Sequence, residues 1–123
     1  MKFTTDKHDT YVIIKLNEDK LTSLISSELK TELVMVNSQE YKNVILDMSE
    51  TVYCDSSGLS AILVGNRLCK NADGTFILTN LNDHVKKLIS ISQLENILTI
   101  IPTTGEAVDY IMMEHIEKNL DNE

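Results

Sequence analysis

Two adjacent serines behind an aspartate are the side chains of this sequence best suited to chemistry. Asp55, Ser56 and Ser57 are followed by Gly58 and by an apolar segment, residues 59–70, that contains no proline. This segment predicts a helix with the serines at its start. The first N–H groups of a helix lack intrahelical partners and favour a nearby carboxylate or phosphate. The residues alone allow two interpretations, a helix cap at Asp55 or a hydroxyl that is modified.

The other reactive side chains lack partners at useful spacing. Cys54 could be a thiolate nucleophile at a helix N-terminus, but no His or Lys stands beside it as a base, which favours a packing role. With Cys69 it forms neither a disulfide framework nor a Cys-x-x-Cys motif, and the three histidines have no ligand spacing. No phosphate-binding loop or nucleophile elbow is present. We therefore expect no metal, no cofactor and no enzyme activity.

Composition limits the class of partner. The 123 residues are 42% apolar and 24% charged, with a net charge of −8, and this predicts one globular domain over residues 1–123. The longest basic run is Lys86-Lys87, so nucleic acid and anionic membrane surfaces are disfavoured. The N-terminus has no apolar signal region, and no segment approaches the roughly 18 apolar residues of a membrane span. We expect a cytoplasmic protein.

The apolar pattern predicts alternating strands and helices that would position the serines. Predicted strands cover residues 3–5, 11–16, 43–47, 75–79 and 97–101, and predicted helices cover 21–36, 55–70, a short segment after Asn82 and a final segment after the Thr103 to Glu106 capping box. This alternation predicts an α/β fold with a mainly parallel sheet and an antiparallel edge at the first strand. Asp47 ends the central strand, where it orients the next loop, holds a cation or, the favoured interpretation, is simply solvated.

The central helix carries apolar residues on two sides. One side carries Leu59, Ile62 and Leu63, and the roughly opposite side carries Ala61, Val64 and Leu68. Between them Gly58 and Gly65, which have no side chain, leave shallow depressions in the helix surface. One side must meet the sheet. The other is covered by the first helix, which is the favoured interpretation, or is left open as a docking surface. The first helix itself should bury a stripe at helical spacing. That stripe comprises Leu21, Leu24, Ile25, Leu29, Leu33 and Val36.

Two segments together resemble a known family. Val44-Ile-Leu-Asp-Met, followed by Asp55-Ser-Ser-Gly-Leu and an apolar helix, resembles the STAS domain family, specifically its freestanding anti-sigma factor antagonists. The resemblance covers nearly the whole chain, although only the Asp-Ser-Ser-Gly-Leu segment is specific. It implies a mainly parallel central sheet of about five strands, with an antiparallel edge strand and four helices mostly on one face.

The resemblance also implies a function. In these antagonists the serine directly after the motif aspartate is phosphorylated, which corresponds to Ser56, with Ser57 as the competing acceptor. The unphosphorylated protein binds an anti-sigma factor, a GHKL-type serine kinase that uses ATP, and so releases a sigma factor; a serine phosphatase resets the switch. The expected partner-binding residues are Asp55, Ser56, Ser57, Gly58, Ala61 and Gly65.

One departure and one alternative accompany this resemblance. Family members often carry a Gly-Glu-Leu-Asp type turn before the first helix, with its acid near the phosphorylated serine. This chain has Glu18-Asp-Lys-Leu-Thr22, which places Thr22 where that acid would fall. The alternative function is a STAS module of a lipid-transport or sensory complex, or a nucleotide-binding STAS domain.

Overall fold

The computed structural model describes residues 2–121 and contains the predicted order of five main strands and four helices. Two further strands of two residues each were not predicted. The strands are β1 (Phe3–Lys7), β2 (Val12–Leu16), β3 (Lys20–Leu21), β4 (Val44–Asp47), β5 (Tyr53–Cys54), β6 (Phe76–Thr79) and β7 (Thr99–Ile101). The helices are α1 (Ser23–Ser38), α2 (Ser56–Asn71), α3 (Asp83–Ile91) and α4 (Thr104–Asp121).

The main sheet has the strand order β1-β2-β4-β6-β7. Strand β1 pairs antiparallel with β2, and every other pair in this sheet is parallel, which confirms the predicted antiparallel edge. The central strands β4 and β6 are continuous apolar runs because both of their faces are covered. Ile45, Leu46, Ile77 and Leu78 are fully buried there, as the sequence predicts.

The two faces of the sheet bury different helices. Side chains alternate along a strand, so Leu46 packs in the core shared with α1, α2 and α3, whereas Ile45 and Ile77 face away from it. On that second face they contact Ala107 and Ile111 of α4. Three helices therefore lie on one face and one on the other, which confirms the expected arrangement. The serine motif, at the start of α2, belongs to the three-helix layer.

The segment before α1 differs from the prediction. Leu21 was expected to open the helix, but it pairs with Cys54 in a parallel ladder between β3 and β5 and is 1% exposed. The helix therefore begins at Ser23. Leu24, expected in the buried stripe, is instead 64% exposed. The rest of the stripe within α1 packs inward, with Ile25 partly buried and Leu29, Leu33 and Val36 buried.

Helix α4 also buries less than its pattern suggests. We expected one side to carry Ala107, Val108, Ile111, Met112, His115 and Ile116. The sheet receives only the first turns, so Ala107 and Ile111 are buried while Met112 and Ile116 stay exposed. The predicted cap is present, since the Thr103 hydroxyl oxygen accepts from the Glu106 N–H at 3.2 Å. None of the helices within residues 2–121 has the length and apolar character that a bilayer-spanning segment needs.

Candidate functional site

The serine motif opens helix α2 as predicted. Asp55 is the N-cap, with extended backbone, and its Oδ1 accepts a hydrogen bond from the Gly58 N–H at 3.0 Å. This bond satisfies one of the N–H groups that the first turn would otherwise leave without a partner. Ser56 is the first residue of the helix. The cap interpretation of Asp55 is therefore correct, and it leaves the role of the two serines to be decided by their own contacts.

The two serine hydroxyls differ sharply. Ser57 is half-buried, donates its hydroxyl proton to Asp55 Oδ1 at 2.6 Å and lies with its Oγ 3.3 Å from Ser26 Oγ of α1. Ser56 is exposed, and its side chain makes no hydrogen bond to any residue in the range 2–121. One serine is thus part of the structure that holds the helix start together, and the other presents its hydroxyl to solvent.

The Asp55 carboxylate is held in its charged form. The Ser57 hydroxyl, followed by the Gly58 N–H, lowers the pKa of Asp55 below its usual value of 3.8, because both hydrogen bonds favour the ionised oxygen. A lowered pKa means that this stabilisation is present above the ordinary carboxyl pKa and is lost only as the pH falls below it. At neutral pH a fixed negative charge therefore stands beside Ser56.

The short β3–β5 ladder holds the loop that leads into the motif. The Asp55 N–H donates to the Leu21 carbonyl at 3.3 Å, and the Val52 N–H donates to the Asp19 carbonyl at 2.8 Å. Both acceptors belong to the segment in which this chain departs from the family pattern. Thr22, directly after Leu21, is the N-cap of α1 and makes no side-chain cap bond. A neutral hydroxyl thus stands in this segment where the family usually has an acid.

Three of the expected partner-binding residues are buried in this structure. Ala61 is fully buried, and Gly58 and Gly65 are buried as well. A Cβ added to Gly65 would lie 2.5 Å from Cε1 of Phe76, so this glycine lets α2 approach the sheet. Their role in partner binding stays a prediction. Helix α1 packs along α2, so of the two alternatives for the second side of α2 the covered one is correct.

An exposed apolar patch beside the motif escaped the sequence analysis. It consists of Val52 and Tyr53, which are 51% and 41% exposed; Leu24, at the start of α1, is a further exposed apolar side chain, at 64%. The Tyr53 ring stacks on His84 of α3 with centroids 5.2 Å apart, and the Asn82 side-chain amide donates to the Val52 carbonyl at 3.0 Å. The pattern contained one signal for it, since Val52 and Tyr53 are apolar residues in a loop that no periodic element claims.

The remaining candidates have structural roles. Cys54 is 2% exposed and packs in the core, which supports the packing role, and burial, followed by the nearby Asp55 charge, raises the pKa of its thiol to about 12. Asp47 is not a solvated strand end, because its Oδ1 accepts from the Ser49 N–H and the Asn80 side chain, each at 3.0 Å. It orients the loop after β4. Over residues 2–121, no three His, Cys, Asp or Glu side chains are grouped as a metal site.

Similar proteins share this arrangement over most of the chain. The relative BtrV of Bordetella bronchiseptica, named as a candidate anti-sigma factor antagonist, is 29% identical over 105 residues, which are 85% of this chain and 87% of BtrV. The crystal structure of the candidate antagonist tm1081 from Thermotoga maritima superposes with a TM-score of 0.81 at 24% identity, covering 89% of this chain and 94% of that one.

Two further structures show how widely the fold is used. The unphosphorylated form of the anti-sigma factor antagonist SpoIIAA, a Bacillus protein, has a TM-score of 0.72 at 20% identity, covering 89% of this chain and 97% of SpoIIAA. A part of the murine anion transporter Slc26a9, 18% of that protein, matches 88% of this chain with a TM-score of 0.73 and 17% identity. The profile of the STAS domain matches residues 2–107, so the chain belongs to the STAS domain family.

Proposed function

We propose that this protein is an anti-sigma factor antagonist whose binding is switched by phosphorylation of Ser56. The observation that carries the proposal is the contrast within the motif: Ser56 is exposed and unbonded at the start of α2, whereas Ser57 is tied to Asp55 and to Ser26. The named function of BtrV supports the same role, and SpoIIAA has been solved in an unphosphorylated and a phosphorylated form.

The switch would work in the cytoplasm through one partner with two activities. Unphosphorylated, the chain binds an anti-sigma factor and thereby releases a sigma factor. The anti-sigma factor is also a GHKL-type serine kinase, and it dissociates the complex by phosphorylating the chain. A serine phosphatase then restores the binding form. In this scheme the chain contributes a docking surface and an acceptor hydroxyl, while nucleotide and catalytic groups come from the partner.

The transfer itself needs little from this chain. The Ser56 oxygen forms a bond to the γ-phosphorus of ATP, the bond from that phosphorus to the bridging oxygen breaks, and ADP leaves. The hydroxyl proton passes to a base on the kinase, because no side chain among residues 2–121 is hydrogen-bonded to the Ser56 hydroxyl. An exposed hydroxyl at a helix start, approachable from solvent, is the geometry that such an in-line attack requires.

The site of phosphorylation is the first test. The chain is used as bait in a pull-down from its native lysate, and the captured kinase is identified by mass spectrometry. The purified kinase is then incubated with ATP and the wild-type chain. We expect a single phosphate on Ser56 in the wild type and only trace phosphate in the Ser56→Ala variant. Phosphate on Ser57 instead would move the switch by one residue. Absence of phosphate from both would remove the switch and favour a STAS role in a transport or sensory complex.

The exposed patch is the natural docking surface for the partner. Val52 and Tyr53 directly precede the motif in the chain and are exposed, and aromatic side chains are enriched among the residues that dominate binding energy. The Tyr53 ring is already fixed by stacking on His84, so little conformational freedom would be lost on binding. Carboxylates of Asp19 and Glu50 lie exposed in the adjoining segments, which suits a partner with basic residues around an apolar cleft.

Replacing Tyr53 with Ala should weaken binding of the anti-sigma factor at least about ten-fold, because truncating a central aromatic residue typically costs more than about 1–2 kcal/mol. Tyr110 provides a matched control, since it is also a tyrosine with 41% exposure but lies on α4, across the sheet. Calorimetric titration of Tyr53→Ala and Tyr110→Ala measures both. Equal affinities of the two variants would show that the patch is not the docking surface.

A further inference from the structure

A buried serine on the neighbouring helix contacts the motif. Ser26 of α1 is 1% exposed because it lies on the side of the helix that packs against α2. Its hydroxyl oxygen lies 3.3 Å from that of Ser57, and this is the hydrogen bond that accounts for the buried hydroxyl. No buried side-chain N or O atom among residues 2–121 is left without a partner. The contact therefore links α1 to the first turn of α2 across 31 positions of sequence.

The direction of this hydrogen bond follows from counting protons. A serine hydroxyl has one proton, and Ser57 gives its proton to the Asp55 carboxylate at 2.6 Å, since an ionised carboxylate can only accept. At the 3.3 Å contact Ser57 must therefore accept, and Ser26 must donate. The three side chains form a directed chain from Ser26 through Ser57 to Asp55. Consecutive hydrogen bonds of this kind polarise and strengthen one another.

This chain of hydrogen bonds makes the neighbouring serines Ser56 and Ser57 chemically different. A phosphoryl acceptor needs a lone pair that can reach phosphorus in line and a proton that can pass to the kinase. In Ser57 the proton and one lone pair are both engaged, and the side chain is half-buried. In Ser56 both are open to solvent. The choice between the two acceptors is thus built into the contacts of Ser57.

We propose that Ser26 is a positioning residue that selects the phosphoryl acceptor: by donating to Ser57 it fixes that side chain on Asp55, which leaves Ser56 as the open hydroxyl of this pair. This inference rests on the proposed phosphorylation switch. The competing interpretation is that Asp55, 2.6 Å from the Ser57 oxygen, acts as a base and makes Ser57 the better nucleophile. The two interpretations predict opposite effects when the donor from Ser26 is removed.

The test compares Ser26→Ala with Ser27→Ala, its exposed neighbour on the same helix. Each change is made in the wild-type chain and in a Ser56→Ala background, and phosphate at each serine is quantified by mass spectrometry after incubation with the purified kinase and ATP. In the Ser56→Ala background we expect Ser26→Ala to raise the rate of Ser57 phosphorylation about five-fold, the factor that corresponds to one ordinary hydrogen bond. Ser27→Ala should leave that rate unchanged. Ser26→Thr, which keeps the donor, should restore the low rate.

A second readout needs no kinase. Three-bond couplings measured by NMR report the χ1 angle of Ser57, and we expect one rotamer in the wild type and in Ser27→Ala, with averaging between rotamers in Ser26→Ala. Wild type that carries phosphate on Ser56, together with an unchanged Ser57 rate and rotamer in Ser26→Ala, would overturn this inference alone. A lower Ser57 rate would overturn it in favour of the Asp55 base. A wild-type chain that takes no phosphate would instead overturn the proposed function.

Discussion

Replacing Ser56 with Asp should weaken binding to the anti-sigma factor by roughly a hundred- to a thousand-fold. The interface would form around a neutral hydroxyl, and a charge placed there is buried without a partner, at a cost of about 3–5 kcal/mol. The charged Asp55 opposes it as well. Ser56→Ala should instead bind with wild-type affinity and remain bound when ATP is present.

The same substitution should leave the fold almost unchanged. Ser56 makes no side-chain hydrogen bond within residues 2–121, and the start of α2 favours a negative charge by about 0.3–1 kcal/mol, which offsets repulsion from Asp55. Isothermal calorimetry gives the affinity, and thermal unfolding gives the stability. Ser90→Asp, at an exposed serine of α3, is the control for added charge. Wild-type affinity of Ser56→Asp would exclude a switch by charge at this position.

Gly58→Ala should lower the free energy of unfolding by about 1–3 kcal/mol, the usual cost of overpacking an interior site. A Cβ at this position would lie 2.5 Å from Cys54 Sγ and 2.6 Å from the Leu21 carbonyl oxygen. The thiol could shift, but the carbonyl belongs to the backbone of the β3–β5 ladder. Relief of the clash would therefore push this ladder away from the helix start, against the gain of about 1 kcal/mol that Ala brings to a helix.

The control for this change is Gly105→Ala, because nothing lies within 4 Å of a Cβ added there. Its free energy of unfolding should be unchanged or rise by up to about 1 kcal/mol. Denaturant unfolding measures the free energy of unfolding of both variants, which can be compared directly when their m-values are equal. Cys54→Ala, combined with Gly58→Ala, should recover only part of the loss, since the Leu21 carbonyl remains in place. Equal stability of Gly58→Ala and Gly105→Ala would show that the helix start is not tightly packed.

Local patterns in the sequence were enough to predict the frame of this site. The cap at Asp55 and the helix after it follow from residue types that act within one turn. The buried strands around Ile45 and Ile77 follow from continuous apolar runs. The short β3–β5 ladder was missed because a strand of two residues has no period that a pattern could show.

Contacts between distant segments decided the rest. Ala61 was assigned to a partner surface because a helical wheel shows two apolar sides but does not show which one α1 covers. The contact of Ser57 with Ser26, which lies 31 positions away in sequence, forms only through packing of the two helices. Leu24 is exposed although it fits the apolar stripe of α1, and the pattern alone could not show this.

The β3–β5 ladder determines how much of the chain must be synthesised before the proposed switch can form. It joins Lys20 to Tyr53, and α1 and β4 lie between them in the chain, so it closes only after both of these elements have been synthesised. Pairing of such distant segments carries a loop-closure cost that local contacts must first offset, which places it late in folding. A nascent chain whose residues 53 and 54 have not yet left the ribosome therefore lacks the formed docking surface and cannot bind the proposed partner through it.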